Sequence, residues 1–324
     1  MLSEDEFSSD NAEHQAECDL VDGRFVLEFQ NKNWKEGVSM DATREQTLER
    51  LAIMTREGIL RSVYGAKAGH PGGSLSAADI LTYLYFDQMK IDPLNPHWKF
   101  RDRFVLSKGH TAPALYSVLA LRGYFPQRDL PTLRHIDSYL QGHPNMNTVP
   151  GVDMSTGSLG QGLSTGAGMA LGLKLQGQDE NVYVMVGDGE IEEGQIWEAV
   201  LFAHQFQLDN LCVIVDVNGL QLDGPTETIM DTYPIADKFR SFGWNVKVID
   251  GHDFNSIEEG FNDFEAHRNS KVPTVLLAKT IKGKGISYME NRVEWHGKAP
   301  NEEQFNQGMA ELAAARERLE AIQS

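Results

Sequence analysis

The sequence has few cysteines, few basic residues and no long apolar run, and each shortage excludes a class of protein. Cys18 and Cys212 are the only cysteines in 324 residues, and they are too far apart in sequence to indicate a disulfide framework or a metal cluster. No stretch approaches the roughly 20 apolar residues of a membrane-spanning helix, and the acidic N-terminus does not resemble a signal peptide. We therefore expect a protein of the reducing cytoplasm that has no membrane segment.

Basic residues are outnumbered, with 29 Lys and Arg against 47 Asp and Glu and a net charge of −18. Nucleic acids are bound by clustered Lys and Arg, so no nucleic-acid partner is expected. An anionic cofactor would have to be held locally, by a metal and by backbone N–H groups. Many of the acids fall near the N-terminus, and we expect an acidic, partly disordered extension over residues 1–40 and one domain over residues 41–324.

Short β-rich runs alternate with helical patterns in the remainder of the chain. The predicted strands are residues 103–106, 182–186, 211–215, 246–249 and 274–278. This alternation predicts an α/β fold, namely a doubly wound parallel sheet with helices on both faces. The apolar spacing also predicts two helices separated by a flexible glycine-rich turn at residues 69–73, and a surface helix at residues 302–323.

The second predicted strand ends in Gly187-Asp-Gly189, and Asn218 ends the third. If these strands are neighbours, the Asp188 carboxylate and the Asn218 amide oxygen meet at one edge of the sheet, where ligands bind in this fold class. Hard oxygen ligands of this kind suit Mg²⁺ or Ca²⁺. The two glycines let the backbone approach a bulky anion, and the following helix start offers free N–H donors.

Two other phosphate-binding motifs do not fit the same residues. A P-loop would need Lys and Ser or Thr after Gly194, where Gln195 and Ile196 stand. A dinucleotide fingerprint would need a third glycine at the position of Glu192. The motif therefore indicates a metal-assisted phosphate site of another kind.

Several segments, taken in order, resemble the N-terminal domain of transketolase, a family that depends on thiamine diphosphate. The segments are Gly69-His-Pro-Gly-Gly73, Asp102-Arg-Phe-Val-Leu-Ser-Lys-Gly-His110, Gly142-His-Pro144, Thr156-Gly-Ser-Leu-Gly-Gln-Gly162, the Gly-Asp-Gly turn with Asn218-Gly-Leu-Gln-Leu-Asp-Gly224, and Trp295-His-Gly297. The resemblance covers roughly residues 45–300 and implies the thiamine diphosphate-binding fold. Two positions depart from common family patterns, because Ser158 stands where Pro is usual and Lys108 stands where Asn is usual.

The resemblance also implies a metal site and a cofactor site on this chain. The metal ligands it implies, for Mg²⁺ or alternatively Ca²⁺, are Asp188, Asn218 and the Leu220 carbonyl. The residues it places at thiamine diphosphate are Gly157, Leu159, Gly189, Glu193, Asn218, His110 and His296. Among these, Glu193 matches a family glutamate that links cofactor sites across the subunit interface.

Four histidines match residues that line the family's substrate channel. We expect His70 and His296 to transfer protons at the donor hydroxyl whose deprotonation cleaves the carbon–carbon bond. His143 would orient the donor's terminal hydroxyl, and His110 would lie near the diphosphate. Imidazoles suit these tasks because they titrate near neutrality and can donate or accept protons.

The family's activating glutamate and phosphate-binding arginines lie on a following pyrimidine-binding domain, which would need about 150 further residues. We therefore expect a separate C-terminal transketolase subunit that carries this domain, a heterotetramer, and sugar phosphate substrates. One alternative is a component of another thiamine diphosphate enzyme, such as a decarboxylating synthase or a 2-oxo acid dehydrogenase. A second alternative is a non-catalytic partner subunit.

Overall fold

The computed structural model describes residues 40–322 of the chain. The acidic extension lies almost wholly outside these residues, so its disorder and the domain boundary near residue 40 stay predictions. Within the described range, no helix is both long enough and apolar enough to cross a membrane.

Five parallel strands form the central sheet, in the order β1-β2-β3-β5-β4. Their bounds are Arg103–Leu106 (β1), Val182–Gly187 (β2), Leu211–Val217 (β3), Asn245–Asp250 (β4) and Thr274–Lys279 (β5). All five predicted strands are therefore confirmed, with ends that differ by at most two residues. β2 and β3 are neighbours, since Val184 pairs with Val213, so the condition on which the meeting of Asp188 and Asn218 depended is fulfilled.

Helices cover both faces of the sheet, which confirms the predicted doubly wound α/β class. They are Ala42–Ala66 (α1), Pro71–Ser76 (α2), Ala78–Tyr83 (α3), Ala112–Arg122 (α4), Gln161–Leu175 (α5), Gly194–Gln205 (α6), Thr226–Ile229 (α7), Ile235–Ser241 (α8), Phe254–Ala266 (α9) and Glu302–Ile322 (α10). Val182 and Val184 pack with residues of α5 and α6 on one face. Between them in sequence, Tyr183 packs against Phe261 and Phe264 of α9 on the other.

The predicted glycine-rich turn is shorter than expected, because Pro71 already begins helix α2. Every residue of α2 is buried, so the prediction of a flexible turn at residues 71–73 is wrong. A side-chain Cβ on Gly72 would lie 2.9 Å from the Trp295 carbonyl oxygen and 3.1 Å from Lys282 Cγ. The glycine is therefore required for close packing.

Candidate active site

The predicted site residues lie at the carboxyl edge of the sheet, where neighbouring strands end. Lys108 follows β1, Asp188 follows β2 and Asn218 follows β3. β5 is followed by a loop that carries Lys282, a residue that the sequence analysis did not select. The parallel arrangement thus brings segments that are distant in sequence to one edge.

The Asp188 carboxylate joins the turns that follow β2 and β3. Its Oδ1 accepts a hydrogen bond from the Gly189 N–H (3.0 Å), and its Oδ2 accepts one from the Gly219 N–H (2.6 Å). The residue is only 3% exposed. Burial, and then repulsion from the Asp216 carboxylate, raises the pKa of Asp188 to about 6. A cation bound to this carboxylate would offset both effects.

The other two predicted metal ligands lie in the turn after β3. The Asn218 Oδ1 accepts a hydrogen bond from the Leu220 N–H (3.1 Å), and the Leu220 carbonyl accepts one from Lys282 Nζ (2.9 Å). Each oxygen keeps a second lone pair, so both fit a hard cation beside Asp188. Among residues 40–322 no group of three or more His, Cys, Asp and Glu side chains could hold a metal. A metal at this turn would therefore need the Asn218 amide oxygen and the Leu220 carbonyl oxygen in addition to the Asp188 carboxylate.

Lys108, which departs from the common family pattern, is buried in an ion pair with Asp216. Its Nζ also donates to the Gly73 carbonyl (3.0 Å). Asp216 accepts further hydrogen bonds from the Ser76 hydroxyl (2.7 Å) and from Asn218 Nδ2 (3.1 Å). Burial would raise the pKa of Asp216, but Lys108 and the hydroxyl groups of Thr280 and Ser76 together outweigh burial, and the pKa is lowered. Lys108 is therefore linked to the turn after β3 through Asp216, whose carboxylate orients the Asn218 amide.

Three of the four predicted histidines form one cluster. The ring centroids of His70 and His110 are 5.2 Å apart, those of His70 and His296 are 5.5 Å apart, and those of His110 and His296 are 5.1 Å apart. His70 Nδ1 is buried and has no hydrogen-bond partner within the described part of the chain. Buried polar atoms are normally paired, so this nitrogen is a candidate contact for a ligand.

Burial keeps these imidazoles neutral near pH 7. It lowers the pKa of His70 to about 4, with the charge of Arg134 as the next cause. It lowers the pKa of His296 to about 3, with Lys282 as the next cause. The pKa of His110 also falls well below its usual value, mainly through burial. Each neutral ring therefore carries one N–H donor and one nitrogen acceptor.

His143 lies outside this three-histidine cluster and is exposed to solvent. A Cβ on Gly157 would come within 3.2 Å of the His143 ring, so the two predicted site residues are adjacent. Partial burial of the imidazole ring against the neighbouring loop, and then the charge of Arg134, lowers the pKa of His143. The structure thus brings all four histidines to one region, with His143 and Arg134 at its exposed side.

Lys282 is the principal site residue that the sequence analysis missed. Its side chain is 2% exposed, and its Nζ lies 2.9 Å from His296 Nδ1 and 2.9 Å from the Leu220 carbonyl. Burial, and then the charge of Lys108, lowers the pKa of Lys282 to about 8. The available signal was a lysine before a glycine, Lys282-Gly283, within four residues of the end of a predicted strand.

The predicted cofactor loop at residues 157–160 reaches the end of β2 through the Glu190 carboxylate. This carboxylate accepts hydrogen bonds from the Gly160 and Gly187 N–H groups, both at 2.9 Å, and from the Ser107 hydroxyl. Burial raises the pKa of Glu190, while these three donors oppose the shift. Glu190 therefore holds the turns that follow β1 and β2 against the cofactor loop, and it is a residue that the sequence analysis did not select.

Two further predicted cofactor residues lie near Glu190 and are exposed to solvent at least in part. Leu159 is 38% exposed, and the Glu193 side chain is exposed. A Cβ on Gly160 would lie 2.9 Å from Glu193 Cβ, which places Glu193 against the cofactor loop. Its role across a subunit interface stays a prediction.

Replacing Glu190 with alanine is expected to lower the free energy of unfolding by about 2–4 kcal/mol, because three donors lose a buried acceptor. Chemical denaturation monitored by circular dichroism measures the loss. Glu192→Ala is the matched control, since Glu192 is exposed and, among the described residues, its carboxylate accepts a hydrogen bond only from Gln221 Nε2 (2.8 Å). Equal stability of the two variants would contradict the bracing role.

Comparison with known proteins shows the family to which the chain belongs. Residues 49–319 match the family described as "Transketolase, thiamine diphosphate binding domain". The 6-deoxy-6-sulfo-D-fructose transketolase subunit SqwG of Clostridium sp. (strain MSTE9) is 45% identical over 265 residues, which are 82% of this chain and 96% of that protein. An apulose-4-phosphate transketolase subunit of Phocaeicola vulgatus is 42% identical, over 85% of this chain and 97% of that protein.

Solved structures show the same relationship. The transketolase of Campylobacter jejuni superimposes with a TM-score of 0.76 at 30% identity, and the match covers 86% of this chain and 46% of that one. The chain thus spans less than half the length of that solved transketolase, and it likewise covers 41% of the human enzyme. Sequence and structure agree that the chain belongs to the transketolase family and corresponds to its thiamine diphosphate-binding domain.

Proposed function

We propose that this chain is the diphosphate-binding subunit of a two-chain transketolase. The enzyme transfers a two-carbon ketol unit from a ketose phosphate to an aldose acceptor and uses thiamine diphosphate with Mg²⁺. The observation that carries the proposal is the meeting of the Asp188 turn, the Asn218 turn and the three-histidine cluster with Lys282 between them, since Lys282 contacts both Leu220 and His296.

This chain supplies oxygen ligands for a metal ion and a buried ammonium group. Together, a bound metal and this ammonium suit the diphosphate end of the cofactor. Asp188, Asn218 and the Leu220 carbonyl would hold Mg²⁺, with Ca²⁺ as the alternative ion. Lys282 adds a positive charge beside them, in a buried environment where it attracts an anion strongly. The remaining cofactor contacts that we propose come from Gly157, Leu159, Gly189, Glu193, Asn218, His110 and His296.

Neutral imidazoles would handle the protons of the reaction. Thiamine diphosphate, when bound, supplies the electron sink for cleavage of the carbon–carbon bond. His296 Nδ1 accepts from the Lys282 ammonium, so its ring proton is on Nε2 and can be donated to a substrate oxygen. His70 would share proton transfer at the donor hydroxyl, while His143 orients the terminal hydroxyl and His110 contacts the diphosphate.

The substrate and the partner are inferred from the relatives. Two of them are named as transketolase subunits for a sulfofructose and for apulose-4-phosphate, so we propose an anionic sugar as the donor of this enzyme. We also propose a separate C-terminal subunit that carries the pyrimidine-binding domain, and a heterotetramer in the reducing cytoplasm. The low cysteine content is consistent with that compartment.

Purification of the affinity-tagged chain from its native host tests both the partner and the cofactor. We expect a second chain, identified by mass, and calorimetric uptake of thiamine diphosphate that requires Mg²⁺. Absence of any Mg²⁺-dependent uptake by the purified complex would refute the proposal.

Donor assays on the same complex distinguish the alternatives. Turnover of a phosphorylated or sulfonated ketose supports the transketolase assignment. Turnover of pyruvate without turnover of these ketoses would instead indicate a decarboxylating enzyme. Cofactor uptake without turnover of either donor class would support a non-catalytic subunit.

A further inference from the structure

Asp79 lies at the centre of a buried polar network that the proposed reaction does not use. Its Oδ1 accepts from Arg56 Nη1 (2.9 Å), and its Oδ2 accepts from Arg56 Nη2 (2.6 Å) and from His252 Nδ1 (2.7 Å). Burial alone would raise the pKa of Asp79, but Arg56 and His252 outweigh burial and lower it to about 2. The three residues come from α3, α1 and the turn after β4, so the network joins three separate elements.

The outer atoms of this network bind both ends of the loop that carries Lys282. His252 Nε2 accepts from the Ile281 N–H (2.8 Å), and Arg56 Nε donates to the Lys284 carbonyl (3.1 Å). Asp79 therefore reaches each end of the Ile281–Lys284 segment through one intermediate side chain.

Asp79 also decides which nitrogen of His252 carries the proton. A carboxylate accepts only, so His252 must present Nδ1–H to Asp79, and Nε2 is left as the acceptor that Ile281 N–H requires. If position 79 offered a donor, the tautomer would reverse and Nε2–H would face Ile281 N–H. Two donors would then oppose each other at the start of the loop.

Lys282 depends on this loop because its side chain is long and its contacts are specific. The Nζ contacts the Leu220 carbonyl and His296 Nδ1, and the residue is almost fully buried. A Lys side chain has many rotamers, so a displaced backbone would release the ammonium from these contacts. Displacements near 1 Å are enough to weaken a site of this kind.

We infer that Asp79, Arg56 and His252 are positioning residues that hold the Ile281–Lys284 loop and thereby fix the Lys282 ammonium where a diphosphate binds. The inference rests on the proposed function for the identity of the anion. The fixing of the loop can be tested without any ligand.

A matched pair of His252 variants separates the two bonds of its ring. His252→Asn keeps a donor near the Nδ1 position but removes the acceptor for Ile281 N–H. His252→Gln provides a carbonyl oxygen near the Nε2 position, and Asp79 stays paired with Arg56. In the full chain, we expect hydrogen exchange of the Ile281 amide to accelerate at least about tenfold in the Asn variant and to stay closer to wild type in the Gln variant.

Cofactor affinity of the purified complex gives the second readout. We expect Asp79→Asn and His252→Asn to weaken Mg²⁺-dependent thiamine diphosphate binding by about 10-fold to 100-fold. In a Lys282→Met background the same changes should have little further effect, because the positioned ammonium is gone. Equal losses with and without Lys282 would show a merely structural role and overturn the inference.

The two readouts separate failure of the inference from failure of the proposed function. A wild-type complex that binds no thiamine diphosphate would refute the function, while the exchange of Ile281 would still report on the loop. Unchanged exchange and unchanged affinity in His252→Asn would refute the positioning role. That variant alters one hydrogen bond at a partly exposed side chain, so it tests the inference even if Asp79→Asn fails to fold.

Discussion

Asp188→Ala is expected to abolish Mg²⁺-dependent uptake of thiamine diphosphate by the assembled enzyme, with affinity falling more than about 100-fold. Even residues that only support metal ligands contribute about 10-fold to 100-fold to metal affinity, and Asp188 is the only carboxylate in the proposed ligand set. Titration calorimetry with and without Mg²⁺ measures the change. Asp237→Ala is the control, because Asp237 is an exposed acid on α8. Uptake that persists in the Asp188 variant would remove the basis of the metal site.

The same carboxylate makes the stability of the metal-free protein depend on pH. The pKa of Asp188 rises from 3.8 to about 6 on folding, so the folded state binds the proton more tightly than the unfolded state. Stability must then fall as pH rises from about 4 to about 6, and the loss is complete above that range. Asp188→Asn removes the titration, and comparison of denaturation curves between pH 4 and pH 7 should show wild type losing roughly 2–3 kcal/mol relative to this variant. Parallel curves would contradict the shift.

The sheet and the positions of Asp188 and Asn218 at its edge could be predicted because their signals are local. Each strand is a short apolar run, and the residues that follow it, such as Asp188 and Asn218, stand directly at the sheet edge. The adjacency of these strands was only a condition in the sequence analysis, and the sheet order supplies it. The proximity of the histidines could not be predicted from local signals, because each histidine lies in its own segment. Only the family resemblance brought His70 and His296 together in the sequence analysis.

The residues that support the site could not be predicted, because their partners are distant in sequence. Asp79 and His252 are separated by 173 positions, and Lys108 and Asp216 by 108. Nothing near Lys108 in sequence indicates that its charge is neutralised inside the protein. Lys282 was missed for the opposite reason, since a lysine near a strand end is usually solvent-exposed and only its burial reveals a function.

His70→Ala is expected to reduce kcat of the assembled enzyme by about 10²-fold to 10⁴-fold, the range for loss of a proton-transfer group. The imidazole is neutral near pH 7, and its Nδ1 is buried without a partner in the described residues, so it is free to bond to a substrate oxygen. His97→Ala is the matched control, because His97 is exposed and is not among the predicted site residues. Its kcat should remain within about twofold of wild type, as is usual for surface substitutions.

The cofactor affinity of the His70 variant decides how a loss of turnover is to be interpreted. The diphosphate contacts that we propose come from the Asp188 and Asn218 turns, from Lys282 and from His110, and within the described residues none of these is hydrogen-bonded to His70. Affinity for thiamine diphosphate should therefore change little while kcat falls, which is the pattern expected when an interaction made in the transition state is lost. A parallel loss of affinity would place His70 in the structure of the cofactor site, and unchanged kcat would support the non-catalytic alternative.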